Sequence, residues 1–324
     1  MRTGEKILRP FILGLSVAFA FGDLTAQDSV RKFTWQPSPG HSQIPIWPGV
    51  PPHAQPVAGP ESTITLLKEK FVAGRPWTYI SAVTRPTMTV YSPAGRNTGA
   101  AVVVFPGGGY RILAIDLEGT EVCDWLTSRG ITCVLLKYRV PGLRMSGPQP
   151  LSGPYPVSPM ALDDAQRTVG LVRLNAAKWH IDPHKIGVLG FSAGGHLSAA
   201  ISTHFEKRIY PAVDAADRVS CRPDFAVAIY PGHLSMAANN FRLNPNVPVT
   251  SAAPPTFLLQ NEDDHVDRVE DALSYYAALK KAGVPVEMHL YAQGGHAFGL
   301  RRTKFPATQW PQLVETWLRS IGMI

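Results

Sequence analysis

Cysteine is scarce in this chain of 324 residues: Cys123, Cys133 and Cys221 are its only three. An odd count with no Cys-x-x-Cys pair argues against a disulfide framework or a cysteine-based zinc site. Cys133 lies within an apolar run and reads as a buried free thiol. A single bridge stays open, because the N-terminus described below implies an oxidising compartment. Charge is scarce too, at 17% of residues. The net charge is +7, yet the basic residues are scattered, in nothing longer than pairs such as Lys207-Arg208, Lys280-Lys281 and Arg301-Arg302. No basic stretch alternates with aromatics, so no nucleic-acid partner is expected. A basic exported protein would be drawn only nonspecifically to anionic polysaccharide. Beyond the N-terminus no segment is apolar enough to cross a bilayer, so no stable membrane association is expected.

What is present is 45% hydrophobic content, enough for one large α/β domain or two small ones. Residues 1–26 read as a secretory signal peptide. Arg2, Lys6 and Arg9 give a basic start, Phe11 to Phe21 a short apolar run, and Leu24-Thr25-Ala26 a cleavage site, with Ala18-Phe19-Ala20 as a second candidate. A retained anchor is the other reading. Either way the chain is expected to be secreted or periplasmic. Residues 27–62 are rich in proline and carry no helical or strand period. They read as an extended strap over the domain surface, with Ile44, Ile46 and Trp47 as anchors.

From Thr63 onward strands and helices alternate. Thr63–Lys70 and Thr87–Tyr91 look like antiparallel edge strands, and Ala100–Phe105 like a buried parallel strand. Strands are then expected at Thr132–Lys137, Ile186–Leu189, Phe225–Tyr230, Thr256–Gln260 and Val286–Tyr291. Helices are expected near Gly119–Arg129, Pro159–Trp179, after Ser192, at Val269–Ala282 and at Gln309–Ser320. This alternation implies a doubly wound, mostly parallel sheet flanked by helices. Ligands in such sheets bind at strand carboxyl ends, so the turn-rich breaks Pro141–Pro159 and Pro231–Pro255 are expected to border the cleft.

Gly190-Phe191-Ser192-Ala193-Gly194 lies between a predicted strand and a predicted helix. A serine on so tight a turn is exposed for attack, and the Ala193 N–H at the helix start faces a developing oxyanion. A serine needs a base, and the base an orienting acid. His296, in Gly294-Gly295-His296-Ala297-Phe298-Gly299, follows one predicted strand, and Asp263 and Asp264 follow another. The order Ser, Asp, His is that of α/β-hydrolases. Pro106-Gly107-Gly108-Gly109-Tyr110 follows the strand Ala100–Phe105, where glycines expose backbone N–H groups to an oxyanion. The Lys-Ser/Thr of a phosphate-binding loop is absent.

These motifs, with Lys137-Tyr138-Arg139, resemble the α/β-hydrolase esterases. The likeness is closest to the secreted acetyl-xylan-esterase-like and feruloyl-esterase-like branch, related to the hormone-sensitive-lipase group. It runs from about Thr63 to the C-terminus. It implies an α/β-hydrolase fold without a large lid domain and a serine esterase for short acetyl esters, such as those of acetylated xylan. Ser192 would be nucleophile, His296 base and Asp264 acid. Gly108, Gly109 and Ala193 would form the oxyanion hole. Asp264 is preferred to Asp263 because similar enzymes place the acid two residues before a valine, here Val266. Pro106 stands where the lipase-type motif has histidine, so lipase preferences are not carried over.

Other residues read less sharply. Tyr110 would contact substrate or serve the fold, and Tyr230 and His233 would line the cleft. His196, on the face of the helix below Ser192, reads as a packed histidine. Glu118 reads as a helix start. Asp163 and Asp164 read as solvent-facing or as fixing their helix against Arg167, and Arg139 as pairing with a carboxylate. The remaining histidines show no ligand spacing, and no metal or cofactor is expected. Rival readings are a feruloyl or general short-chain esterase, a prolyl-oligopeptidase-type peptidase, for whose propeller the strap leaves no room, and a noncatalytic carbohydrate-binding protein.

Overall fold

Short apolar runs separated by turn residues become strands, and the amphipathic stretches between them become covering helices. The computed structural model describes residues 29–32, 34–57, 59–67, 71–142, 158–236 and 239–324. The expected leader at 1–26 and most of the Pro141–Pro159 break lie outside the described residues.

In chain order the strands and helices begin with β1 (Ser29–Lys32), β2 (Ile44–Pro45), β3 (Ser62–Leu66), β4 (Trp77–Ser81), β5 (Thr87–Tyr91), β6 (Ala101–Phe105) and β7 (Ile112–Leu113). Next come α1 (Glu121–Ser128), β8 (Thr132–Lys137), α2 (Ser158–Leu174), β9 (Ile186–Phe191), α3 (Ala193–Thr203) and β10 (Ala226–Ile229). A hairpin of β11 (Ser235–Met236) and β12 (Arg242–Leu243) precedes β13 (Thr256–Asn261), α4 (Val269–Lys281), β14 (Val286–Tyr291) and α5 (Trp310–Ser320). The main sheet has eight strands in the order β14-β13-β10-β9-β6-β8-β5-β2. Neighbours from β14 to β8 run parallel, and β5 and β2 are antiparallel additions at one side.

Side chains alternate across β13. Phe257 packs on Trp317 of α5, with ring centroids 5.7 Å apart, while its neighbour Leu258 clusters with Tyr275 and Leu279 of α4. Helices therefore cover both faces. The chain leaves β6 through α1 to reach β8 on one side, and returns through α2 to β9 on the other. Such a reversal is where ligands bind in open α/β sheets, and the glycine turn and Ser192 emerge there, at the carboxyl ends of β6 and β9.

Two expectations about the N-terminal part change. The proline-rich strap is not free of strands: β1 pairs with β3 and β2 pairs with β5. Backbone pairing needs no side-chain period, so a two-residue strand leaves no trace in the sequence. Ile46 and Trp47 are buried in the core, and Ile44 packs against it. Asp163 and Asp164 do not face solvent or hold Arg167. Asp164 lies buried, bonding the Arg139 Nε at 3.0 Å and the Trp47 Nε1 at 2.8 Å. Asp163 takes His53 of the strap at 2.8 Å. Arg167 turns instead to Asp214 and Asp217. The start of α2 thus clamps the strap to the sheet.

The expectation of a free thiol at Cys133 also gives way. The turn between α1 and β8 brings Cys123 and Cys133 together as a disulfide, with Cα atoms 5.1 Å apart. Cys221 is the free, buried cysteine.

Removing one partner of a buried ion pair strands the other. Asp164→Ala is expected to lower unfolding free energy by about 3 kcal/mol, because Arg139 and the Trp47 N–H lose their acceptor. Urea denaturation followed by tryptophan fluorescence measures it; a loss below about 1 kcal/mol would contradict the clamp.

Candidate active site

Ser192 sits between β9 and α3 with φ 53° and ψ −120°, a strained conformation for a residue with a side chain. The flanking glycines make it feasible. A Cβ at Gly190 would fall on the Gly194 carbonyl, and one at Gly194 on the Phe105 carbonyl of the next strand. The helix therefore starts almost against the sheet, and the serine hydroxyl is held at its edge.

The loops after β13 and β14 bring the other two groups. His296 Nδ1 lies 2.6 Å from Asp264 Oδ2, and its Nε2 lies 3.0 Å from Ser192 Oγ. The relay Ser192–His296–Asp264 is continuous. Asp263 takes a different part: its Oδ1 accepts the N–H groups of Gly294 and Gly295 at 2.9 and 2.8 Å, fixing the loop that carries His296. Asp264 uses its second oxygen on its own loop, accepting the Val266 and Asp267 N–H groups at 2.8 and 3.0 Å.

The glycine turn follows β6. Gly108 and Gly109 have φ of 132° and 61°, which a side chain would resist. The Gly107 N–H is occupied by Glu118 Oε2 at 2.8 Å. No described hydrogen bond is donated by the N–H groups of Gly108, Gly109 or Ala193. The last of these, first in α3, has no partner within its helix.

Two acidic residues at the site had been missed. Glu118 is not a plain helix start. It lies buried on a single wide π-turn, Asp116–Thr120, and its Oε1 accepts the Tyr230 hydroxyl at 2.8 Å. That hydroxyl also accepts the Gly299 N–H at 3.1 Å. Glu118 and Tyr230 thereby join the glycine turn to the histidine loop. Asp267 is the second: its Oδ2 accepts the Ser192 hydroxyl at 3.1 Å and lies 3.8 Å from His296 Nε2. In sequence they are one acid among several in Asp116-Leu117-Glu118-Gly119-Thr120-Glu121 and a third acid after Asp263 and Asp264. Neither has a motif that separates it from a solvated turn.

The remaining candidates fall into place by their contacts. The Tyr230 ring packs on His296, centroids 4.7 Å apart. Tyr110 is fully buried, its hydroxyl 2.9 Å from His196 Nδ1, a structural pair beneath the turn. His233 is buried just after β10, its carbonyl accepting Asn244 at 3.0 Å. Next to it, a Cβ at Gly232 would fall on the Asp267 carboxylate, so the Pro231–Pro255 break does begin against the site.

Electrostatics divide the two nearby histidines. Burial drives His196 down to about 3, with the charges of His233 and His204 adding to it, so it stays neutral. Burial also opposes the His296 imidazolium. The Asp264 carboxylate outweighs it through charge and hydrogen bond, helped by Asp267 and Glu118, and raises His296 to about 9. Burial raises Asp267 to about 7 against the pull of His296, with Asp264 and Asp271 repelling it further. Burial raises Glu118 as well, opposed by the Tyr230 hydroxyl, His296 and the Gly107 N–H.

Residues 102–300 match a family of proteins described as having the alpha/beta hydrolase fold. The chain is 31% identical over 234 residues to an acetylxylan esterase of Xylanibacter ruminicola, an alignment covering 69% of this chain and 46% of that protein. It is 27% identical to the esterase LipC of Mycobacterium tuberculosis, covering 62% of this chain and 54% of the relative. The chain thus spans about half the length of these curated relatives. Among solved structures, an acetyl ester-xyloside bifunctional hydrolase from Caldicellulosiruptor lactoaceticus superposes with a TM-score of 0.64 at 33% identity, covering 87% of this chain and 97% of that one. By its sequence match, its sheet order and its strand-to-helix serine turn, the chain belongs to the alpha/beta hydrolase family.

Proposed function

We propose that this chain is an exported serine carboxylesterase that removes short acyl groups, acetyl above all, from plant polysaccharide such as acetylated xylan. The observation that carries the reading is the Ser192–His296–Asp264 relay at the strand ends, beside backbone N–H groups that have no described partner. The acetyl and xylan chemistry in the names of two relatives supports the choice of substrate.

In this reading neutral His296 takes the Ser192 proton as Oγ bonds to the ester carbonyl carbon. The carbonyl π electrons move to oxygen, and the Gly108, Gly109 and Ala193 N–H groups receive the oxyanion, each such donor contributing about 3 kcal/mol. Asp264 keeps the imidazole in the right tautomer and steadies the imidazolium. The intermediate collapses, the carbon–alkoxy bond breaks, and His296 Nε2 gives its proton to the departing alcohol. Water then attacks the acyl-Ser192 carbonyl while His296 accepts its proton. Collapse releases the acid and returns the proton to Ser192. Glu118 has no proton to transfer in this sequence; it keeps Gly107 turned away and the glycine turn in register with the histidine loop.

Ser192→Ala is expected to lower kcat for p-nitrophenyl acetate by about 10⁴-fold or more with an unchanged circular dichroism spectrum. Turnover near the wild-type rate would remove Ser192 from the mechanism. Among acetate, butyrate, octanoate and feruloyl esters, kcat/KM is expected to peak at acetate, with acetate released from acetylated xylan. A peak at octanoate or at the feruloyl ester would overturn the acetyl assignment.

An imidazolium cannot accept the serine proton, so kcat/KM rises with pH as free-enzyme His296 becomes neutral. Its raised pKa puts that rise above the ordinary imidazole value of 6.5. Background-corrected kcat/KM for p-nitrophenyl acetate between about pH 5 and 10 tests this, and an acidic limb at or below the ordinary value contradicts it.

A further inference from the structure

The charge relay leaves one carboxylate without a task. Asp267 Oδ2 is 3.1 Å from Ser192 Oγ and 3.8 Å from His296 Nε2. Its side chain is 6% exposed and that of His296 10%, whereas the Asp264 side chain is at 0%. Asp264 is sealed behind the imidazole, and Asp267 shares the opening with the reacting atoms. Its backbone is held on both sides: its N–H bonds Asp264 Oδ1 at 3.0 Å, and its carbonyl accepts Gln260 Nε2 at 3.1 Å.

A carboxylate there works against an oxyanion, so its partner is a hydrogen-bond donor on the other side of the reacting carbon. The leaving oxygen must come within reach of His296 Nε2 to be protonated. Substituents on the alcohol carbon therefore pass Asp267. Ser192 has a single proton and two acceptors, His296 Nε2 and Asp267 Oδ2. When that proton moves to His296, the Asp267 carboxylate loses its one described side-chain donor. A buried acceptor stripped of its donor is costly, and a site built around such an acceptor rejects molecules that offer nothing in return.

We propose that Asp267 reads a free hydroxyl on the carbon next to the esterified one, making the site selective for monoesters of vicinal diols, the pattern of a partly acetylated sugar ring. This rests on the esterase reading above. The neighbouring hydroxyl donates to Asp267 Oδ2 in place of Ser192, and the serine proton turns to His296. No bond to Asp267 forms or breaks, and all covalent steps remain those of the serine relay. The substrate hydroxyl thus serves as a specificity handle and primes the nucleophile.

The test compares 2-hydroxyethyl acetate with 2-methoxyethyl acetate. Both give the same acetyl-enzyme, so the ratio of their kcat/KM values reports on the alcohol alone. The wild-type protein is expected to favour the hydroxy ester by about tenfold or more. Asp267→Ala is expected to bring the ratio close to one, and Asp267→Asn, of the same shape with a weaker acceptor, to an intermediate value. If the wild-type ratio is flat, or if both variants lose activity on the two acetates equally, Asp267 does not read the alcohol and the assignment fails. That failure is separate from failure of the esterase reading, which would appear as Ser192→Ala retaining hydrolysis of both acetates.

Discussion

One imidazole surrounded by three buried carboxylates is the constraint on which this site depends. Asp264 bonds His296 directly, Asp267 lies within 3.8 Å of its Nε2, and Glu118 acts through charge across Tyr230. Buried carboxylates are tolerated only with donors, and the donors found here belong to the site itself. Glu118 holds the glycine turn through Gly107 and the histidine loop through Tyr230. Asp263, at the rim, fixes the same loop through Gly294 and Gly295. Glu118, one of the acids that raise His296, therefore also helps to hold the loop that carries it.

The fold makes this concentration of charge possible. The strand order reverses at β6, and the tight turn before α3 puts the serine at that point of the sheet. Behind it the sheet is sealed on both faces, with Phe257 against Trp317 on one side and Leu258 against Tyr275 on the other. Farther away the strap is tied to α2 by Asp163 and Asp164. Those two acids are buried as well, bonded by Arg139 and, for Asp163, by His53. Burial of an acid alone does not make a site; the other cluster differs in bordering Ser192 and His296.

The parallel strands, the helices between them and the serine turn were legible in the sequence because each carries a local signature. Thr132–Lys137 and Val286–Tyr291 appear at the expected bounds, and α4 ends one residue early. Asp264, His296 and Ser192 could be found because each follows a strand, and strand ends converge in this architecture. Features made by long-range contact left little trace. β4 lies outside the β–α alternation, in a separate small sheet where it pairs with β3 and β7. β2 is two residues of backbone pairing. The Cys123–Cys133 bridge is local, spanning ten residues, but depends on how tightly α1 turns into β8. Glu118 and Asp267 look like ordinary acids in a turn, and their burial comes from Tyr230 and Gly232, distant in the chain.

Asp264 and Asp267 belong to one turn, and in the proposed mechanism this joins the activation of the serine to the choice of alcohol. Asp264 divides its oxygens: Oδ2 orients His296, while Oδ1 takes the N–H of Asp267. The backbone that carries the second carboxylate is thus pinned by the first. A shift that loosened the imidazole would also move Asp267 away from Ser192, and a loop change that moved Asp267 would pull on the relay. Selectivity located on a separate loop could drift without harming catalysis. Under the proposal, the acceptor for the alcohol and the acid beside His296 stand three residues apart on a single set of hydrogen bonds, so the geometry that would activate the nucleophile would also fix the distance at which a neighbouring hydroxyl is read.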